Sequence, residues 1–283
     1  MRKVAVVTDS TTCLTPSEFP GLPFYTVPLS VNFDGKSYLD GIDITPTAFY
    51  QMLEVTRSMP TTSQPSAESY QSIFKKLISE DFDVLAITIS SKLSGTWDSA
   101  MLGAKGLPKG RVEIVDTLTA SLPEGMVAIR AAEAAKAGAS LLECKNLAER
   151  LSAHTRVYFA VDTLEYLHRG GRIGSAAKFI GSALGLKPIL TVNHGYVEAL
   201  ERVRTTKKAH ARLLDLVEKE MGLKAQIPFF GVTSANATAD AQHLLVEAHK
   251  RFRINRDMIN ELSPVIGVHT GPGALGVAFT SEE

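Results

Sequence analysis

Residues 84–96 read Val84-Leu85-Ala86-Ile87-Thr88-Ile89-Ser90-Ser91-Lys92-Leu93-Ser94-Gly95-Thr96, and this stretch decides the fold class. Val84 to Ile89 is a near-continuous apolar and β-branched run, without the alternation of a strand that has one face in water. It predicts a strand covered on both faces, as in a parallel sheet. A hydroxyl-rich loop follows, and a helix is predicted to begin near Ser94. Together they form the strand–loop–helix step of an α/β protein, a place where open sheets gather their ligand groups.

The same alternation extends both ways from this stretch. Upstream, Val4-Ala5-Val6-Val7 runs into the turn residues Asp9-Ser10-Thr11-Thr12. Phe24 to Asp34 is predicted extended, with Asp34-Gly35 a hairpin signal leading into Ser37-Tyr38-Leu39. Thr45-Pro46 reads as an N-cap with proline at the first helical position, opening a helix through Leu53. Ser69 to Ser79 has helical spacing in Tyr70, Ile73, Phe74 and Leu77. Downstream, Val112 to Asp116 is a further strand. Ser121 with Glu124 three residues on reads as a capping box for an alanine-rich helix. Leu141 to Leu151 carries Cys144, Leu147 and Leu151 on one side. Residues 1–154 are therefore expected to form an N-terminal doubly wound parallel-sheet domain.

Around Ala153-His154-Thr155 the pattern changes. Strands are predicted at Val157 to Val161, Ile189 to Val192, Tyr196 to Leu200, Phe229 to Val232 and Val265 to Val268, with a hairpin turn at His194-Gly195. Helices are predicted at Lys207 to Met221 and Thr238 to Phe252. Residues 155–283 are expected to form a C-terminal α+β domain, although no Pro/Gly/Ser-rich linker marks the junction.

Composition narrows the function classes. The 283 residues contain 45% hydrophobic and 21% charged residues, enough to bury roughly three quarters of the unfolded surface. Thirty Lys and Arg balance thirty Asp and Glu, so no net field draws nucleic acid or an acidic membrane surface. The apolar run before Asp9 is too short for a signal peptide, and no stretch approaches the length of a membrane span. Cys13 and Cys144 form no CxxC pair, which argues against a disulfide framework or a zinc site. The expected location is the cytoplasm.

Four polar clusters are candidate site residues: Asp9 to Thr12, Thr61 to Ser66, Ser90 to Thr96, and Gly267 to Gly273. Each taken alone is as well explained by helix caps and turns. Gly271-Pro272-Gly273-Ala274-Leu275-Gly276 fits GxGxxG, but too little chain follows for a dinucleotide fold, so the match is read as turn glycines. There is no phosphate loop and no GxSxG elbow, and no carboxylate pair stands out as acid and base. His243 and His249 are six apart on one predicted helix, which puts them on different faces and argues against a metal pair. Leu164 to Gly174 reads as a short helix closed by glycines, followed by Arg172 in a segment with open N–H groups, either solvated or aimed at an anion or partner.

Taken together these segments resemble the DegV family of bacterial fatty-acid-binding proteins, the acyl-carrying subunits of fatty acid kinase. The motifs are VTDSTTCL at the start, TSQPS at Thr62 to Ser66, ISSKLSGTWDSA at Ile89 to Ala100, VDTLEYLHRGGRIG at Val161 to Gly174, GLKPIL at Gly185 to Leu190, RVRTTKKA at Arg202 to Ala209 and VHTGPGALGVAF at Val268 to Phe279. Their order and spacing over the whole chain are specific. The resemblance implies two α/β domains with a long-chain fatty acid in a buried tunnel and its carboxylate held between them. By motif, Thr62, Ser94 and His269 would bind the head group, with the Gly95 N–H a further donor. Arg172 and Arg204 would face the kinase catalytic subunit, with Arg202 two residues away as the competing choice for the second contact. The same resemblance implies a non-catalytic carrier with no cofactor or metal, a place in phospholipid metabolism, and peripheral membrane contact for acyl exchange. The competing expectation is an enzyme in its own right, a small-molecule phosphotransferase or a hydrolase using Ser94 and His269.

Overall fold

The computed structural model describes residues 2–56, 58–181 and 185–282. The chain order is β1 (Lys3–Asp9), β2 (Phe24–Val27), β3 (Ser30–Phe33), β4 (Lys36–Leu39), α1 (Pro46–Val55), β5 (Thr61–Ser63), α2 (Ala67–Ser79), β6 (Phe82–Thr88), α3 (Thr96–Gly103), β7 (Val112–Asp116), α4 (Leu122–Lys136) and α5 (Leu141–His154). It continues through β8 (Thr155–Ala160), α6 (Glu165–Arg169), β9 (Lys187–Asn193), β10 (Tyr196–Val203), α7 (Thr206–Met221), β11 (Gln226–Ile227), β12 (Phe229–Ser234), α8 (Thr238–Arg251), β13 (Arg253–Ile254), β14 (Asp257–Glu261), α9 (Pro264–Thr270) and β15 (Leu275–Thr280).

The first half builds a parallel sheet in the order β2-β1-β6-β7. Its two inner strands bury Val4 to Val7 and Val84 to Ile87 completely, as an apolar run covered by helices on both faces requires. The second half builds a mixed sheet in the order β10-β9-β8-β15-β12-β14. A small antiparallel sheet, β4-β3-β5, holds Thr62 opposite Val31. The fold is thus a mixed α/β architecture centred on two main sheets. Helix α4 packs on both: Leu122 and Met126 lie where a side chain at Gly231 of β12 would stand, and they share a core cluster with Val4 and Leu85 of the first sheet.

Local signals placed several boundaries. Thr45 caps α1 through its side chain, with Pro46 next. The β9–β10 turn has His194 and Gly195 both at positive φ, the geometry of a tight type I′ hairpin. Four expectations need correction. The extended stretch from Phe24 is interrupted between Val27 and Ser30, so it splits into β2 and β3 and changes sheets. Val265 to Val268 is helix, not strand. Ser263 caps it and Pro264 begins it, and burial on nearly every side erases the periodicity that would separate helix from strand. The missing strand is β15, built from the glycine-rich segment read only as a turn. Ser121 is no capping box: it sits at φ 66, ψ −142 with no side-chain cap, and Glu124 turns into the core.

Candidate functional site

The cavity that matters lies on one face of the six-stranded sheet and encloses about 970 Å³ of empty space, its open mouth included. Its floor is Val157 and Phe159 of β8, Val192 of β9, Val197 of β10, Thr233 of β12 and Gly276 of β15. The registers Thr233↔Gly276 and Gly276↔Phe159 put three of these side by side. Gly276 helps to keep the floor low, since a Cβ there would come within 3.2 Å of the Phe159 Cβ. Leu29, Ile89, Leu93, Ala120, Leu262 and Val265 line it as well, so most of the wall is apolar. A large concave, mainly apolar chamber with a few convergent polar groups is the ordinary form of a small-molecule site.

Those polar groups come from four distant segments. Thr62 of β5 and His269 of α9 meet with Thr62 Oγ1 and His269 Nε2 2.9 Å apart. Ser94 lies in the β6–α3 loop, its hydroxyl 2.8 Å from the Thr96 hydroxyl. Gly95 immediately precedes α3, where the first helical N–H groups have no partner within the helix. The Gln64 amide lies over Gly95 so closely that a side chain at 95 would displace it. Thr62, Gln64, Ser94, Arg172 and His269 all line the cavity.

His269 is set for the neutral form. Burial, and secondarily the positive charge of Arg172, pull its pKa down from 6.5 to about 4. Its Nδ1 is buried without a partner among the described residues. Gly170 presses on that edge of the ring, and any Cβ there would overlap Nδ1. A neutral imidazole bonded to a threonine hydroxyl can donate to or accept from a ligand oxygen without contributing a charge.

Arg172 is not placed as its segment suggested. Its backbone N–H is closed, donating to the Leu167 carbonyl at 3.0 Å. Its guanidinium bridges the rim, with Nε to the Leu93 carbonyl at 3.0 Å and Nη1 to the Gly170 carbonyl at 2.7 Å. It stands at the cavity mouth beside His269. Arg204 lies elsewhere, exposed just past the end of β10, whereas the cavity residue Val197 lies near the start of that strand. Arg202 is engaged in a stack on the Phe179 ring at 4.5 Å.

The first polar cluster does not line the cavity. Asp9 accepts from the Ile89 N–H at 2.9 Å and from the Thr11 N–H and hydroxyl at 3.0 and 2.5 Å. Glu124 accepts from the Thr8 hydroxyl at 3.2 Å and lies 3.0 Å from the Thr11 hydroxyl, whose one proton it shares with Asp9. Asp40 accepts from Ser10 at 2.8 Å. Burial raises the pKa of all three, that of Asp40 to about 7, and the neighbouring Asp9 raises that of Glu124 further. This is a carboxylate pair that the sequence did not reveal, because its members come from β1 and α4. The Cys13 thiol closes the cluster: it accepts from the Ser263 N–H at 3.2 Å, and burial pushes its pKa up to about 12. Among the described residues, no group of His, Cys, Asp and Glu side chains could hold a metal, and no helix is long and apolar enough to cross a membrane.

Of the other polar residues lining the cavity, Gln64 and Thr270 lie inside two of the candidate polar clusters, and Ser121 reads from the sequence as a helix cap. Thr233 carried no local signal, because a lone hydroxyl in an apolar segment reads the same whether it faces a cavity or a neighbouring strand.

The comparisons with known proteins agree with this architecture. A family model described as "Uncharacterised protein, DegV family" matches residues 3–282. A DegV family protein from Thermus thermophilus whose structure is described for its fatty acid binding is 41% identical, covers 100% of both chains and superposes with a TM-score of 0.91. A stearic-acid-binding protein from Eubacterium ventriosum is 26% identical, with a TM-score of 0.88 over 99% of this chain and 98% of that one. A DegV domain-containing protein of Deinococcus radiodurans is 37% identical over 279 residues, 98% of each chain. The chain described here belongs to the DegV family.

Proposed function

We propose that this protein binds a long-chain fatty acid with its tail in the apolar cavity and its carboxylate at Thr62, Ser94, the Gly95 N–H and His269, and that it presents the carboxylate to a separate kinase subunit in the cytoplasm. The observation that carries the reading is a mainly apolar chamber whose wall includes the linked pair Thr62 and His269. Burying about sixteen carbons at roughly 0.8 kcal/mol per methylene gives on the order of 10 kcal/mol before entropy costs, so the tail supplies the affinity. The head then needs orientation only. Hydroxyls and a neutral imidazole satisfy it without the tight ion pair that would hinder its phosphorylation.

The enzyme alternative has less support. Ser94 pairs with Thr96 and His269 with Thr62, so among the described residues no serine–histidine pair is set for nucleophilic attack, and none bonds to the His269 Nδ1. Arg172 at the mouth and Arg204 in solvent are the proposed contacts to the kinase subunit. Mass spectrometry of lipid extracted from the purified protein is expected to find about one long-chain fatty acid per chain. If none is found, and palmitate or oleate fails to raise the melting temperature, the carrier reading is wrong. Acyl-phosphate formed from ATP and fatty acid by this chain alone would instead establish the enzyme reading.

A further inference from the structure

Gln64 follows Thr62 in the TSQPS segment and is an exposed residue on the cavity wall. Its side-chain amide lies across Gly95: the position that a Cβ on this glycine would take is 2.4 Å from Nε2, 2.5 Å from Oε1 and 2.7 Å from Cδ. Only a glycine lets the amide settle so close to the backbone beside Ser94. A primary amide has two N–H donors and an acceptor oxygen. Among the described residues this one makes a single, long hydrogen bond, from Nε2 to the Ser99 hydroxyl at 3.5 Å. The other polar side chains of the niche are committed in pairs, Thr62 to His269 and Ser94 to Thr96.

A carboxylate that reaches the Gly95 N–H comes up against this amide. Its two oxygens offer about four acceptor positions, and each of the two pairs already uses a proton internally, so the niche is short of donors. An amide N–H fills that gap without bringing a charge, and its bond to an ionised oxygen is stronger than its bond to a neutral one. We propose that Gln64 is a further head-group residue whose amide N–H donates to the carboxylate, so that the site favours an ionised acid over a neutral head on the same chain. This rests on the carrier reading above.

The test compares palmitate with hexadecan-1-ol, the same chain under a neutral head, by displacement of a fluorescent acyl probe from the delipidated full-length protein near neutral pH. Gln64→Leu is expected to lower the ratio of palmitate to hexadecanol affinity about tenfold, the size of one hydrogen bond to a charged acceptor. Gln64→Glu keeps the length of the side chain but sets a second carboxylate beside the ligand's, and should lower the ratio by about another tenfold. Because both ligands are read on the same variant, a general loosening of the cavity cancels from the ratio. The inference is overturned if the ratio in Gln64→Leu stays at or above the parent's, as it would if the amide merely shields Gly95. It also falls if Gln64→Glu favours palmitate as strongly as Gln64→Leu does. Should the parent protein bind neither chain, the carrier reading itself fails and takes this one with it.

Discussion

Two buried polar clusters lie one loop apart in this protein, and they do opposite things with similar residues. At the exit of β1, Asp9, Asp40 and Glu124 are enclosed with Thr8, Ser10 and Thr11, and their carboxylate oxygens accept hydrogen bonds from inside the protein. At the cavity, Thr62, Ser94 and His269 carry no carboxylate and face open space. The Asp9 carboxylate even holds the Ile89 N–H, the first residue of the loop that delivers Ser94. The difference teaches that polarity alone does not make a site. Groups whose bonding capacity is used up internally lock the fold, and groups with capacity left over beside a cavity are available to a ligand.

The sharpest way to break this comparison is Asp9→Ala. It strips acceptors from the Ile89 and Thr11 N–H groups and the Thr11 hydroxyl, and should cost about 3–5 kcal/mol. At roughly 2–4 °C per kcal/mol, thermal unfolding followed by circular dichroism should show a melting temperature lower by about 6–20 °C. A variant as stable as the parent would mean that the enclosed cluster is no lock.

The cavity residues should behave the other way. Thr62→Val and His269→Ala each remove a head-group bond and should weaken fatty acid retention by about 1–3 kcal/mol, roughly 5- to 150-fold, with a much smaller change in the melting temperature of the lipid-free protein. Gly170→Ala should mimic His269→Ala by pushing the imidazole aside. Retention equal to the parent in all three variants, measured by isothermal titration, would put the head group elsewhere.

The two clusters should also differ in the sign of their pH dependence. Folding raises the Asp40 pKa from 3.8 to about 7, so stability due to this group is lost as pH rises from about 4 towards 7. Folding lowers the His269 pKa from 6.5 to about 4, so its contribution is lost as pH falls from about 6.5 towards 4. Relative to the parent, Asp40→Asn should therefore gain stability with rising pH across this window and His269→Gln with falling pH. Each slope is bounded by about 1.4 kcal/mol per pH unit. Denaturant titrations at several pH values would read both, and parallel slopes would contradict the assignment.

The smallest expected effect separates the two arginines. Arg172 adds to burial in lowering the His269 pKa, so Arg172→Ala should move the His269 titration upward in an NMR experiment. Arg204→Ala should leave it where it was. In the presence of the kinase subunit, both variants are expected to retain lipid while acyl-phosphate formation falls. Loss of lipid from Arg172→Ala would instead assign that residue to the head-group niche.

Much of this architecture is written locally. The runs Val4 to Val7 and Val84 to Ile89, the Thr45-Pro46 cap and the His194-Gly195 turn each announce themselves through neighbours a few residues away, and all four were legible. So were the motifs holding Thr62, Ser94 and His269, whose shared cavity wall required the structure. The failures have two causes. In α9 and β15, burial on nearly every side removed the alternation that tells helix from strand. Glu124 looked like a cap residue because its partners lie on β1. Arg172 looked free because the Leu93 carbonyl that holds it comes from another loop.

By itself, then, the sequence determined the alternation of strands and helices, the family, and which polar residues stand at strand ends, because those depend on periodicity and turn chemistry within a short window. Only the tertiary structure decided which of these polar residues face a cavity and which face one another. Whether a buried hydroxyl or carboxylate has partners depends on atoms contributed by segments a hundred or more residues away, and no local pattern carries that information.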